Sequence, residues 1–168
     1  MKIEQLNTLS ESYDELVALL NDSVESGASI GFLAPLDAGE AELYWRGVAE
    51  NLAEGGRTLL IASEAGRITG TVQISYCQKK NGSHRAEVEK LMVHTAFRQR
   101  GIAQQLMTEV ERQVQANQRT LLVLDTRTND TASILYRKLG YQEAGHIPQF
   151  ARSSTGMLDG TTFFYKFL

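Results

Sequence analysis

The segment from Glu87 to Gln115 limits the fold of this chain more than any other. Along Val88-Glu89-Lys90-Leu91-Met92-Val93 apolar and polar residues follow a strand, whereas beyond Ala96 the residues Ile102, Ala103, Leu106, Met107, Val110 and Val114 form one helical stripe. A strand therefore feeds a long amphipathic helix through a short turn that carries Arg98, Gln99, Arg100 and Gly101. The first amides of a helix lack internal acceptors, and the aligned peptide dipoles place partial positive charge on them, so main chain alone can hold an anion there. Gly101 lets that backbone approach closely. Arg98 and Arg100 are expected to add charge-assisted hydrogen bonds, which suits a nucleotide-like diphosphate.

Two common phosphate-binding patterns do not fit this turn. A P-loop needs a second glycine followed by Lys-Ser/Thr, and a dinucleotide fingerprint needs three glycines with an acidic residue further on. The turn instead matches Arg/Gln-x-x-Gly-x-Gly/Ala at Arg98, Gly101 and Ala103, and it is followed by the segment Asn129-Asp130-Thr131-Ala132-Ser133-Ile134-Leu135-Tyr136-Arg137-Lys138-Leu139-Gly140-Tyr141. With both segments the chain resembles the GNAT superfamily of N-acetyltransferases. The resemblance implies acetyl-coenzyme A as cosubstrate, with its diphosphate on the turn formed by Arg98, Gln99, Arg100, Gly101, Ile102 and Ala103. It also implies coenzyme contacts from Leu91, Met92 and Val93 of the preceding strand and from Asn129, with Tyr136 near the sulfur.

Composition narrows the remaining classes. A chain of 168 residues fits one domain, residues 1–168, with a core large enough to fold unaided. A formal net charge of -3 and the lack of a run of like charges argue against nucleic acid or an anionic membrane as partner. Cys77 is the single cysteine, so an internal disulfide is excluded and a cytoplasmic location is expected. The first residues lack the apolar run of a signal peptide, and no stretch approaches the roughly 18 apolar residues of a membrane span. His84, His94 and His146 have no metal-like spacing, so no metal is expected. A homodimer is left open.

Read in order, Lys2–Leu6 is expected as a strand and Ser10 as the cap of a helix ending before Gly27. Gly27–Pro35 reads as a loop over a pocket. A second helix is expected from about Ala38 to Ala53, with Leu43, Tyr44, Gly47, Val48 and Leu52 as its apolar stripe and Trp45 and Arg46 beside it. Thr58–Ala62 and Ile68–Tyr76 form a hairpin turning near Ala65-Gly66, and a polar loop follows at Lys79–Gly82. Leu121–Thr126 reads as a strand covered on both faces, Thr131–Leu139 as a short helix, and Tyr141–Ile147 and Thr161–Phe167 as final strands around a mobile polar loop from Arg152 to Gly160. The order β-α-α-β-β-β-α-β-α-β-β predicts a mixed, mostly antiparallel α/β fold of about seven strands with helices on both faces.

Ligands of such sheets sit beyond strand ends, which here carry His94, Asp125 and Thr126. Acetyl transfer to an amine needs an uncharged amine and a way to stabilise the departing thiolate. Asp125, ending an apolar strand, is the first choice for the base or amine-orienting carboxylate; Glu87 and Glu89, on one strand face, are the alternatives. Tyr136 is the natural donor to the thiolate, because a phenol stays protonated at neutral pH. The competing readings are a turn residue for Asp125 and a core aromatic for Tyr136.

At Gly27–Phe32, Cys77–Lys79, Arg85–Val93, Leu106–Glu111 and Leu122–Thr126 the chain is similar to tabtoxin-resistance acetyltransferases, and departs from them at Ala103 and Arg127–Asp130. That similarity implies a small, amino-acid-like antimetabolite as acceptor, with Asp125 and Tyr136 as the catalytic pair. The alternatives are a protein or peptide acceptor, or a catalytically idle acyl-coenzyme A sensor.

Overall fold

A computed structural model describes residues 1–37 and 39–168. Its sheet is organised by two neighbouring parallel strands, β4 (Arg85–Val93) and β5 (Leu121–Arg127), which pair only at Arg85 with Leu121, Ala86 with Leu122 and Glu87 with Val123 before they part. The remaining strands are β1 (Lys2–Leu6), β2 (Arg57–Glu64), β3 (Arg67–Tyr76), β6 (Gln142–Arg152) and β7 (Leu158–Phe167). They give a seven-stranded sheet in the order β1-β2-β3-β4-β5-β7-β6, antiparallel except at β4 and β5. Helices α1 (Tyr13–Glu25) and α2 (Glu40–Ala53) pack on one face, and α3 (Ile102–Ala116) with α4 (Thr131–Lys138) on the other. The mixed, mostly antiparallel architecture and the element order agree with the sequence.

Side-chain alternation feeds two cores from the same strands. Leu60, Ala62, Val72 and Ile74 face α3, while Leu59, Ile61 and Ile68 face α1 and α2. The α3 stripe is as expected at Ile102, Leu106, Met107, Val110 and Val114, all buried, whereas Ala103 is only half-buried. Gly70 lets the helix come this close: a Cβ there would stand 2.8 Å from the Met92 carbonyl oxygen and 3.3 Å from a Leu106 methyl. Leu106→Ala is expected to destabilise the fold by about 2–5 kcal/mol, because a cavity in a dense core collapses only partly. Urea unfolding followed by circular dichroism measures it.

Several local expectations change. Ser10 does not cap α1; Ser12 holds that place through its main-chain oxygen, which accepts from Leu16 N–H at 2.9 Å. Helix α2 starts at Glu40 after Gly39, and Ala38 lies outside the described residues. Its buried stripe is Ala41, Trp45 and Val48, while Leu43 is 67% exposed. The phase follows Trp45, the largest side chain, whose Nε1–H donates to Leu16 O at 3.0 Å and so ties α2 to α1. Lys79–Gly82 closes as one turn of 3-10 helix over Lys80–Gly82.

Strand β5 is not covered on both faces: Leu122 and Leu124 are buried, but Leu121 and Val123 are only half-buried and Asp125 is exposed. The face beyond α1 and α2 opens instead into the gap left by the parting strands. The loop expected from Arg152 to Gly160 is shorter, because β6 runs to Arg152 and β7 begins at Leu158, leaving a tip at residues 153–157 closed by Ser153 N–H to Met157 O at 2.8 Å. A bulge with Gln149 at φ 54° carries β6 past Pro148. Among the described residues no helix is long and apolar enough to cross a membrane.

Candidate functional site

Strand β4 carries a bulge where Lys90 takes a φ of 52°; Gln73 pairs with Glu89, but Thr71 already pairs with Met92. The extra residue interrupts the ladder, which resumes one residue out of register at Thr71 with Met92 and Gly70 with Val93; beyond it Leu91 and Val93 pack toward the α3 core while Met92 is buried in the opposite core. The strand then runs into a 3-10 turn, Thr95–Phe97, pinned to α1 by Asp22, which accepts from Thr95 N–H at 2.8 Å and Thr95 Oγ1–H at 2.6 Å. His94 sits at this turn as its cap, accepting from Ala96 N–H at 3.2 Å.

From this pinned turn the chain enters α3. Gly101 is the cap residue, at φ 77°, and a Cβ there would meet nothing within 4 Å. The first helical bond runs from Gln105 N–H to Gly101 O at 3.1 Å, so the amides of residues 99–104 have no main-chain acceptor among the described residues. Of these residues Gln99 and Gly101 to Gln104 border a cavity of about 490 Å³ that also touches Leu91, Val93, Phe97 and Arg98, and its opposite wall is the start of α4 at Thr131, Ala132 and Leu135. Two helix N-termini thus face one cavity, an arrangement that favours an anionic ligand.

The side chains expected to assist divide here. Arg98 reaches the cavity, with Nε–H donating to Val93 O at 3.1 Å and an Nη2–H to Ser26 Oγ at 2.6 Å. Arg100 does not line it: its side chain turns toward Glu64, at 3.6 Å, with its guanidinium over the Phe97 ring at 5.1 Å, so the expected contribution from Arg100 is not made here. The Met92 side chain is likewise withdrawn into the core. Asn129 is exposed in a turn at φ 64° and lines neither this cavity nor the next, and Asp130 and Thr131 occupy the rim instead.

The gap between β4 and β5 holds a second cavity of about 340 Å³, which shares Leu91 and Ala132 with the first. Asp125, Tyr136, Glu89 and Lys90 line it beneath the loop at Ala28–Gly31, as expected of the Gly27–Pro35 segment. Although Asp125 keeps a solvent-open face, its partial burial pushes the carboxyl above its ordinary range; nearby Lys90 opposes that and Glu89 adds to it. Burial, Glu89 and Asp125 likewise raise Glu87, against the pull of Arg85 and Arg57, but Glu87 lies beside this cavity rather than in its wall. Glu89 is held by an ion pair to Arg57 at 3.1 Å and a hydrogen bond from Ser75 Oγ–H. Burial pulls Lys90 down, with Glu89 opposing.

Tyr136 is a core aromatic that also reaches the cavity wall. Its ring is 5% exposed and packs between Tyr141 and Phe164, at 5.9 and 5.8 Å between centroids, yet it lines the cavity wall. Burial, followed by the charges of Asp125 and Asp130, raises its phenol well above the ordinary value. The gap therefore combines a proton-seeking carboxylate with a phenol that stays protonated.

Other residues of the site were not legible in the sequence. Lys90 faces the gap only because of the bulge. Arg57 meets Glu89 only through the pairing of β2, β3 and β4, and it shares a bond with Gln73, whose Nε2–H donates to Tyr44 Oη at 2.6 Å. Among the described residues no group of three or more His, Cys, Asp or Glu side chains is placed to hold a metal ion.

A family model described as an acetyltransferase (GNAT) domain matches residues 55–143, which span β2 to the start of β6. The chain belongs to the GNAT family: it is an N-acetyltransferase, and acetyl-coenzyme A is the cosubstrate of that family. It is 29% identical over 128 residues to an uncharacterized N-acetyltransferase from the hisH-hisA intergenic region of Azospirillum brasilense, covering 74% of each chain. It is 24% identical over 148 residues to an L-methionine sulfoximine/L-methionine sulfone acetyltransferase of Pseudomonas aeruginosa, covering 87% of this chain and 84% of that one. The fold is shared with a ribosomal-protein-alanine N-acetyltransferase of Brucella melitensis at a TM-score of 0.84, with 24% identity and both chains fully covered (100% each). It is also shared with yncA of Salmonella typhimurium, solved with its cofactor acetyl-CoA, at a TM-score of 0.83, 20% identity and coverage of 100% and 94%.

Proposed function

We propose that this enzyme transfers acetyl directly from acetyl-coenzyme A to the primary amine of a small, amino-acid-like antimetabolite, in the manner of tabtoxin-resistance acetyltransferases. The observation that carries the reading is continuity: the amide-lined cavity at α3 and the Asp125–Tyr136 cavity meet at Leu91 and Ala132, in the gap between β4 and β5. A diphosphate on amides 99–104 and Arg98 leaves the carrier's arm to run along Leu91 and Val93 toward that gap. The acceptor nitrogen attacks the thioester carbonyl carbon, so a C–N bond forms as the C–S bond breaks. Asp125, directly or through water, takes the proton that the nitrogen loses, and the Tyr136 hydroxyl donates to the departing thiolate. Glu89 suits the base role less, because Arg57 and Ser75 already occupy its oxygens.

A small acceptor is supported by the size of the enclosed space and by its walls. The Asp125–Tyr136 cavity continues past Ala28, Ser29, Gly31 and Ala151 into a further cavity of about 300 Å³ between the Gly27–Leu33 loop and the tip of β6 and β7. Each volume lies near the lower end of the range for small-molecule sites. The relative from P. aeruginosa is named for amino-acid analogues of this size. Release of coenzyme thiol measured across a panel of amines tests the proposal: turnover of L-methionine sulfone or other small amino acids is expected. Turnover confined to peptides would replace the small acceptor with a protein amine, and coenzyme binding without turnover of any amine would leave an acyl-coenzyme A sensor.

A further inference from the structure

We infer that Arg127 and Arg152 form the subsite for the acceptor's carboxylate, so that the enzyme selects acceptors whose amine and free carboxylate are separated by a single carbon. This rests on the reading of a small amine acceptor just given. Asp125 and Arg127 are both on β5, and as alternate residues they share a face about 7 Å apart. An α-amino acid fits between them, its amine toward Asp125 and its carboxylate toward Arg127, each within hydrogen-bond reach.

The charges along the trough support that polarity. The cavity around Asp125 carries Glu89, Asp125 and Asp130 against Lys90 alone, whereas the adjoining cavity carries Arg127 and Arg152 against Asp159 alone. One end therefore favours a cation and the other an anion. Arg127 is held in position by donating to Gly27 O at 2.8 Å, and its contacts with Asp130 and Asp159 are both long, at 3.5 Å. Arg152 donates to Gly156 O at 3.0 Å and makes no ion pair among the described residues, so part of its guanidinium is open to a ligand. Ser154, in the same wall, receives Ala34 N–H on its oxygen at 2.8 Å, which leaves its own hydroxyl proton to donate. A carboxylate there would meet two guanidinium groups and a hydroxyl. Charge-assisted bonds of this kind discriminate strongly against an amide, which brings no charge.

Thiol release is measured on L-methionine sulfone and on the common L-amino acids, each beside its own primary carboxamide. The carboxamide has the less basic amine, so amine reactivity alone would favour it. The expected result is the reverse, with kcat/KM for the best acid about tenfold or more above that of its carboxamide. Arg152→Met, at an exposed position, is expected to bring that ratio down toward unity mainly through KM for the acid; Arg127→Met should do the same wherever it folds. Equal or greater activity on the carboxamides, or a ratio unmoved by Arg152→Met, overturns the subsite while the small-amine reading stands. Turnover of no acid and no carboxamide, with coenzyme bound, overturns both.

Discussion

Asp125→Asn is expected to lower kcat/KM about 100-fold or more, the usual cost of losing a general base, while leaving the midpoint of thermal unfolding unchanged or higher. The two halves of this expectation share one cause. In the folded chain the Asp125 carboxyl is raised above its ordinary value by burial and by Glu89, with Lys90 opposing. The folded state consequently holds that proton more tightly than the unfolded chain does. Stability is free of the penalty below the unfolded-state pKa of about 3.9, is lost as pH rises from there through the higher folded value, and stays reduced at neutral pH. Asparagine carries no charge and removes the penalty. The same shift places the acid limb of kcat/KM above the range of an unperturbed aspartate, and the substitution should abolish that limb. A pH profile with a thermal melt at neutral pH reads both effects. Activity within about tenfold of the parent would move the base to Glu87 or Glu89.

The second large effect is expected at Tyr136. Tyr136→Phe should cut kcat by about 100-fold and leave the binding of acetyl-coenzyme A within about twofold, because in the proposed mechanism only the hydroxyl meets the leaving sulfur. The ring itself packs against Tyr141 and Phe164, so phenylalanine keeps the buried contacts and the fold. Tyr136→Ala is the contrasting case: truncating a buried aromatic is expected to cost about 3–5 kcal/mol, and its loss of activity would report unfolding. Single-turnover kinetics with coenzyme binding by calorimetry separate the two variants. Turnover by Tyr136→Phe close to that of the parent would leave Tyr136 a core residue only.

The residues expected around the site were found with unequal accuracy, and the reason is where each side chain gets its direction. Gly101 and the helix start that follows are set by the strand–turn–helix signal itself, which is local, so the cap position of α3 was legible in the sequence. Arg98 and Arg100 sit in the same turn, yet one faces the cavity and the other pairs with Glu64, a partner on β2 that no spacing within the turn reveals. Asn129 resembled a coenzyme contact by position, but its left-handed turn leaves it outside the cavities and brings Asp130 and Thr131 to the rim.

By itself the sequence determined the order of strands and helices, the mixed sheet, the amide-rich entrance of α3, and Asp125 and Tyr136 as residues near one end of the sheet. These follow from hydrophobic period and turn chemistry, which act over a few neighbouring residues. Only the tertiary structure decided that β4 and β5 part after Glu87, that a bulge turns Lys90 into the gap, that Trp45 sets the phase of α2, and that β6 and β7 extend far enough to bring Arg152 beside Arg127. Each of these depends on packing or pairing between residues far apart in the chain, and burial, which sets the direction of the carboxyl and phenol shifts, exists only once those distant parts have met.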